Sequence, residues 1–112
     1  MTDATAEFFE ELGSRGHDPR LASVRGTVRF DLTNGKQVAR WTVAIDKGDV
    51  AVSKRNAKAD CVVRADKELF DGIAGGEVNA FSAVLRGAIR LEGEPGLLVS
   101  FQRLFPAPPR NR

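Results

Sequence analysis

The sequence predicts an α+β domain in which helices cover one face of a five-stranded, mainly antiparallel sheet. Three observations support this prediction. Apolar residues recur at helical spacing near both ends of the chain, they alternate with polar residues through its middle, and glycine-containing turns separate the segments. The 112 residues are enough for one domain with one core. We therefore expect a single domain over residues 1–112, with a frayed tail at 106–112.

The first predicted element is a helix from Asp3 to Leu12. Its apolar residues, Phe8 and Phe9 among them, recur at helical spacing, and glutamates occupy the opposite side. Glycines at 13 and 16 are expected to end this helix, and residues 14–25 form an irregular polar stretch.

A period of two then predicts four strands that follow one another as a meander. The dipeptide Asn34-Gly35 indicates a tight type I′ hairpin turn, because both central positions of that turn need positive φ. A second turn is expected at residues 46–49. The inward apolar positions of the four strands are Val28, Phe30 and Leu32, then Ala39, Trp41, Val43 and Ile45, then Val50 and Val52, and finally Cys61, Val63 and Ala65.

Helical spacing returns after residue 65. Asp66 and Asn79 are suited to cap two short helices, and Pro95 is suited to the first position of the last one. Between them, Ile89 and Leu91 alternate with charged residues and predict a fifth strand. The apolar stripes of the three helices are Leu69, Phe70 and Ile73, then Phe81, Val84 and Leu85, and finally Leu97, Leu98, Phe101, Leu104 and Phe105.

The residues that carry most enzyme chemistry are scarce. The chain has one histidine, His17, in the polar stretch, and one cysteine, Cys61, at an inward strand position. A nucleophile needs a base within reach, and the sequence offers no such pair. The carboxylate pairs, Asp46 with Asp49 and Glu92 with Glu94, lie in turns or at strand ends, where solvated acids are common. We therefore predict a protein that is not an enzyme and has no metal site and no cofactor.

Charge and aromatic content argue against nucleic acid as a partner. The net charge is +2, tyrosine is absent, and the phenylalanines fall on apolar stripes. One basic group, Lys54, Arg55 and Lys58, is either a solvated loop or a weak attraction for an anionic membrane surface or ligand head group. A secretory signal is not evident, so a cytoplasmic location is expected.

Apolar side chains are the remaining feature, since three Phe- and Leu-rich helical stripes face one modest sheet. These residues either form a close-packed core or line a cavity. Periodicity does not separate the two interpretations, because core residues and pocket walls have the same polarity.

Residues 76–93 resemble the C-terminal signature of sterol carrier protein-2 domains. In that family a glycine, an asparagine and a small residue followed by two large apolar ones precede a strand that is bounded by glycines. The Gly-x-Val-x-Phe strand at 26–30, the residues Trp41-Thr42-Val43 and the closing helix at 97–105 are similar to the same family. The matching positions of the signature are Asn79, Ala83, Val84, Leu85, Gly87, Ile89, Leu91 and Gly93.

The resemblance implies a sterol carrier protein-like fold with an apolar tunnel between sheet and helices. It also implies non-covalent binding of sterols, fatty acids, fatty acyl-CoA or phospholipids, with transfer of these lipids as a further expectation. Ala80 stands where the family commonly has proline, and no peroxisomal signal follows the last helix, so a free-standing bacterial relative is expected. The expected tunnel-wall residues are Trp41, Val43, Phe70, Ile73, Phe81, Val84, Leu85, Leu98, Phe101, Leu104 and Phe105. The alternative is a protein–protein interaction or homodimerisation module whose core is filled by side chains.

Overall fold

The computed structural model describes residues 3–105, apart from the side chain of Gln102. The predicted tail at 106–112 lies outside the described residues. The α-helices are α1 (Ala4–Arg15), α2 (Lys67–Ala74), α3 (Ala80–Leu85) and α4 (Pro95–Phe101), and short 3-10 turns span Pro19–Leu21 and Gln102–Leu104. The strands are β1 (Arg25–Asn34), β2 (Gln37–Asp46), β3 (Asp49–Ser53), β4 (Cys61–Asp66) and β5 (Arg90–Gly93).

The five strands form one mixed sheet in the order β3-β2-β1-β4-β5. Neighbouring strands are antiparallel except for β1 and β4, which run parallel with Phe30 opposite Val63. The predicted α+β fold with a mainly antiparallel five-stranded sheet is confirmed. The predicted four-strand meander is wrong, because β4 adds to the free edge of β1 instead of pairing with β3.

The connection from β3 to β4, residues 54–60, produces this strand order by carrying the chain past β2 and β1. We call it the crossover. It passes over the sheet face opposite the helices, where Thr42 Oγ1 donates a 2.6 Å hydrogen bond to the carbonyl oxygen of Arg55. Further along, Arg29 Nη1 donates to the carbonyl of Ala57 at 3.0 Å, and the Thr27 amide donates to Asp60 Oδ2 at 2.8 Å. The alternation of apolar and polar residues along the strands does not indicate these contacts. The sequence pattern alone therefore favours a meander.

The two β-turns differ from each other in backbone geometry. Asn34 pairs with Gln37, so the central turn residues are Gly35 and Lys36, one position later than predicted. Of these two, only Gly35 has a positive φ, 64°. The type I′ requirement for two positive φ values is met instead at the second turn, by Lys47 at 52° and Gly48 at 94°.

Helix α1 begins and ends at specific caps. The Asp3 side chain accepts a hydrogen bond from the Ala6 amide, and Gly16 ends the helix at φ 66° while its N–H donates to the Leu12 carbonyl. The helix therefore extends to Arg15, beyond the predicted end, because Gly13 continues the helical backbone. Thr5 Oγ1 donates to Asp71 Oδ1 at 2.5 Å, which connects α1 to α2.

The core lies between the helices and one face of the sheet. Most inward positions of the strands are almost fully buried, as at Val28, Leu32 and Val43. Phe9 of α1 is at its centre, with its ring centroid 5.1 Å from that of Phe30. The other rings of this aromatic cluster are Phe8, Trp41, Phe70, Phe101 and Phe105.

A buried carboxylate connects the 3-10 turn after α1 to the C-terminal end of the described chain. Asp18 is 2% exposed, and its Oδ1 accepts hydrogen bonds from the backbone amide and Nε of Arg20, while Oδ2 accepts from Arg20 Nη2 at 2.6 Å. Arg20 Nη1 in turn donates to the carbonyl of Arg103 at 3.1 Å. These hydrogen bonds lower the pKa of Asp18 from 3.8 to about 2.

Replacing Asp18 with asparagine is expected to lower the free energy of unfolding by about 2 kcal/mol at pH 7. Because the pKa of Asp18 is depressed in the folded state, its contribution is present above the unfolded value and is lost as pH falls from about 4 to about 2. Chemical denaturation of both proteins across that range should therefore show the gap closing with acid. Asp46→Asn, at an exposed pair with Arg25, is the matched control and should change stability by less than about 1 kcal/mol. A gap for Asp18→Asn that stayed constant down to pH 2 would contradict this assignment.

Candidate functional site

An apolar cavity of about 140 Å³ lies between α3, β5 and α4. The wall that the described residues form has no polar surface. A cavity of this polarity favours apolar guests, because a water molecule inside it would find no hydrogen-bond partner. The lining residues are Ala80, Phe81, Val84, Leu91, Pro95, Leu98 and Val99.

Three local features position this lining. The side chain of Asn79 accepts a 3.0 Å hydrogen bond from the Ser82 amide, which starts α3 and sets the direction of Phe81 and Val84. Leu91 lies opposite Val63 in the pairing of β5 with β4, so it projects from the edge strand toward the helices. Pro95 begins α4 and contributes its own ring to the wall.

The cavity is bordered by exposed apolar side chains. Phe81 is 51% exposed and Val99 is 50% exposed, although both also line the cavity. Leu85, one helical turn after Phe81, is 73% exposed. Among residues 3–105, Val38 is the one other large apolar side chain with this degree of exposure. We call Phe81, Leu85 and Val99 the apolar rim; clustered exposed apolar residues are typical of binding surfaces.

The sequence-predicted wall residues occupy four different environments. Phe81, Val84 and Leu98 line the cavity, and Leu85 belongs to the apolar rim. Phe105 is half-buried against the core. The others are buried in the core: Trp41, Val43, Phe70, Ile73, Phe101 and Leu104.

Four cavity residues were not among the predicted wall residues. Ala80 is small, and Pro95 was interpreted as a helix start. Leu91 was assigned to the fifth strand, whose alternation could have indicated that it faces the helices. Val99 falls outside the apolar stripe of the last helix, so periodicity carries no signal for it.

The reactive residue types do not meet at this site. His17 Nδ1 lies 2.9 Å from Asp49 Oδ1 on the surface, and the Glu92 carboxylate pairs with Arg64. Cys61 is fully buried, and burial raises the pKa of its thiol, so the sulfur stays protonated at neutral pH. Within the described part of the chain, three or more potential metal ligands do not come together.

The cavity is small compared with ordinary ligand pockets, which occupy roughly 300–1,000 Å³. Apolar cavities of about 150 Å³ hold guests the size of benzene. A longer apolar molecule would fit only if α3 and α4 moved apart. None of the helices in residues 3–105 has the length and apolar character of a membrane span.

Comparisons with known proteins point to one family. A family model described as the SCP-2 sterol transfer family matches residues 7–106. A Xenopus laevis protein named hydroxysteroid dehydrogenase-like protein 2 is 24% identical over 101 residues, which cover 88% of this chain. The match spans only 24% of that relative's own length.

Two solved structures from Aedes aegypti share the fold. The crystal structure of sterol carrier protein 2 like 2 superposes with a TM-score of 0.69 at 21% identity, covering 89% of this chain and 94% of that one. The solution structure of sterol carrier protein-2 in complex with the C16 fatty acid palmitate also gives a TM-score of 0.69, at 19% identity, covering 92% of this chain and 94% of that one.

Proposed function

Since this chain belongs to the SCP-2 sterol transfer family, we propose that it binds lipids without covalent chemistry, in the apolar cavity between α3, β5 and α4. The observation that carries this proposal is a wall free of polar surface whose rim leaves Phe81, Leu85 and Val99 exposed. The palmitate complex of the mosquito protein with the same fold supports a fatty acyl chain as one ligand class.

The driving force in this proposal is the removal of lipid methylenes from water. Each buried methylene contributes roughly 0.8 kcal/mol, so ten of them supply on the order of 8 kcal/mol before ordering costs. Part of this free energy widens the cavity, because about 140 Å³ does not hold a long chain. The element proposed to move is α4, which has seven residues and contributes Leu98 and Val99 to the wall.

The cavity-lining residues Phe81, Val84, Leu91, Leu98 and Val99 are proposed as the first contacts of the lipid. Opening of α4 would extend the site toward deeper predicted wall residues. Those residues are Trp41, Val43, Phe70, Ile73, Phe101, Leu104 and Phe105, with Leu85 remaining at the mouth. A wall without polar groups selects by shape and length, so sterols, fatty acids, fatty acyl-CoA and phospholipids all remain within the proposed ligand class.

Transfer between membranes is a further part of the proposal. It requires transient contact with a bilayer, and Lys54, Arg55 and Lys58 lie exposed at the crossover. Each such side chain near an anionic leaflet contributes about 1 kcal/mol. The role proposed for the cavity is non-catalytic. In support of this, no titratable side chain of the described residues lines the cavity, and general acid–base and nucleophilic mechanisms both need such a group at the ligand.

Titration with a fluorescent fatty acyl probe tests lipid binding directly. We expect saturable binding with a dissociation constant in the micromolar range or tighter, since burial of about ten methylenes exceeds the ordering cost. Added unlabelled palmitate should displace the probe. A flat titration with folded protein would reject lipid binding. If the same protein then sedimented as a concentration-dependent dimer, the apolar rim would instead support the interaction module, the second candidate.

A further inference from the structure

The sheet face opposite the helices carries three arginines around one carboxylate. Arg29 donates from Nε and Nη2 to the two oxygens of Asp31 at 3.0 and 3.1 Å. Arg64 Nε is 3.8 Å from Asp31, and its Nη1 pairs with Glu92. Arg40 Nε is 3.6 Å from Asp31, beyond hydrogen-bond distance. Three guanidinium groups therefore share the single carboxylate of Asp31, and Arg29 alone hydrogen-bonds both of its oxygens.

The Arg40 guanidinium also has unused donors. Its Nε is buried and makes no hydrogen bond within the described residues. The whole side chain is 39% exposed, so the terminal part of the guanidinium reaches solvent. A guanidinium has five N–H donors and pairs best with a planar or tetrahedral oxyanion. Arg40 is therefore a cation with donors available to a ligand that arrives from solvent.

These donors border a groove of about 290 Å³. Lys54 and Asn56, from the start of the crossover, form its other polar wall. The pairing of β2 with β3 ends at Thr42 opposite Ser53, so the preceding part of β2 has no strand partner on this side among the described residues. Unpaired strand edges offer backbone donors as well. The remaining lining residues are Val38, Ala39 and Trp41.

We propose that this groove is a binding site for a phosphate group. Among the residues that the structure describes, its lining contains two cations, Arg40 and Lys54, one amide, Asn56, and no acidic residue. A phosphate has several acceptor oxygens in a tetrahedral arrangement, which donors from three side chains on different walls can share. The groove is on β2 and the apolar cavity is on β5, with β1 and β4 between these strands in the sheet. The site therefore does not depend on lipid uptake.

Trp41 makes the site observable. It is the single tryptophan of the chain, and Lys54 Nζ lies 4.6 Å from the centroid of its ring. A phosphate that draws Lys54 away from the ring should change the fluorescence of Trp41. We expect a saturable change on titration with inorganic phosphate, and none with sodium chloride at matched ionic strength. Isothermal titration calorimetry, which does not depend on the contact between Lys54 and Trp41, should show that Arg40→Gln and Lys54→Gln each weaken the affinity about tenfold.

Arg90→Gln is the matched control. Its side chain is exposed on β5, at the edge of the sheet far from the groove, so its phosphate titration should match that of the unmodified protein. Lys54→Gln alters one exposed residue, so its effect separates binding from folding if Arg40→Gln is destabilised. Equal responses to phosphate and chloride, or full affinity in Lys54→Gln, would overturn the proposal.

A second series distinguishes the source of the phosphate. Vesicles of phosphatidylcholine with phosphatidylglycerol replace the free ion, and the Trp41 spectrum at saturation is the readout. A vesicle response that Arg40→Gln abolishes, without a response to free phosphate, assigns the groove to a lipid head group. A response to free phosphate alone assigns it to a soluble phosphate-bearing ligand. No change in the Trp41 spectrum in either series would reject the proposal that this groove binds phosphate. The acyl-probe titration is read separately, so each proposal can fail without the other.

Discussion

Replacing Phe9 with alanine is expected to lower the free energy of unfolding by about 3–5 kcal/mol. Phe9 is fully buried, and its ring centroid lies 4.9 Å from that of Trp41 and 5.6 Å from that of Phe70, with both pairs stacked. The substitution removes these contacts and leaves a cavity that well-packed neighbours fill only in part. Domains of this size are stable by only about 5–15 kcal/mol, so much of the total would be lost.

The control for this prediction is the same substitution at an exposed phenylalanine. Phe81 is 51% exposed, so Phe81→Ala should change stability by no more than about 1 kcal/mol. Urea denaturation followed by far-UV circular dichroism compares the variants without relying on Trp41, whose fluorescence the loss of Phe9 would itself alter. Equal stability losses in the two variants would mean that the ring of Phe9 is not at the centre of the core.

The second large effect concerns ligand binding. Replacing Val99 with tryptophan is expected to weaken acyl-probe binding at least about tenfold, because the larger side chain would occupy or cover a cavity of about 140 Å³. Val99 is half exposed, so the protein should remain folded. The measurement is the acyl-probe titration on the purified variant, accompanied by its thermal unfolding midpoint.

A matched variant shows whether position or size matters. Val38→Trp introduces the same side chain at a residue that is 43% exposed and lies on β2, away from the apolar cavity. Its acyl-probe affinity should equal that of the unmodified protein. If Val99→Trp bound the probe as tightly as Val38→Trp, the lipid site would have to lie elsewhere in the fold.

The two predictions rest on different parts of the same apolar layer. Phe9 lies where the rings of α1, β1, β2 and α2 meet, and its side chain is fully buried. Val99 lies where α3, α4 and β5 meet, and space there is not filled. The short helices and the four-residue edge strand leave this end of the layer thinly covered, which is the physical basis for proposing that α4 moves.

Local chemistry made several elements predictable. The Asn79 cap, the Pro95 helix start and the alternation in β1 and β2 each depend on a few consecutive residues, and the structure has these features where the sequence placed them. The order of those elements also predicted the family, which the match over residues 7–106 confirms.

By itself the sequence determined most of the side chains that leave water, and hence the α+β fold with helices on one face of the sheet. The family followed from the resemblance of its motifs to sterol carrier protein-2 domains. Only the tertiary structure decided that β4 pairs with β1, that Val99 rather than Phe70 borders open space, and that Arg40 and Lys54 share a groove. Burial depends on the polarity of a residue and its near neighbours, which a sequence displays. Strand order, empty volume and shared grooves depend on where distant segments cross, as at the crossover, and alternating polarity is the same for every such arrangement.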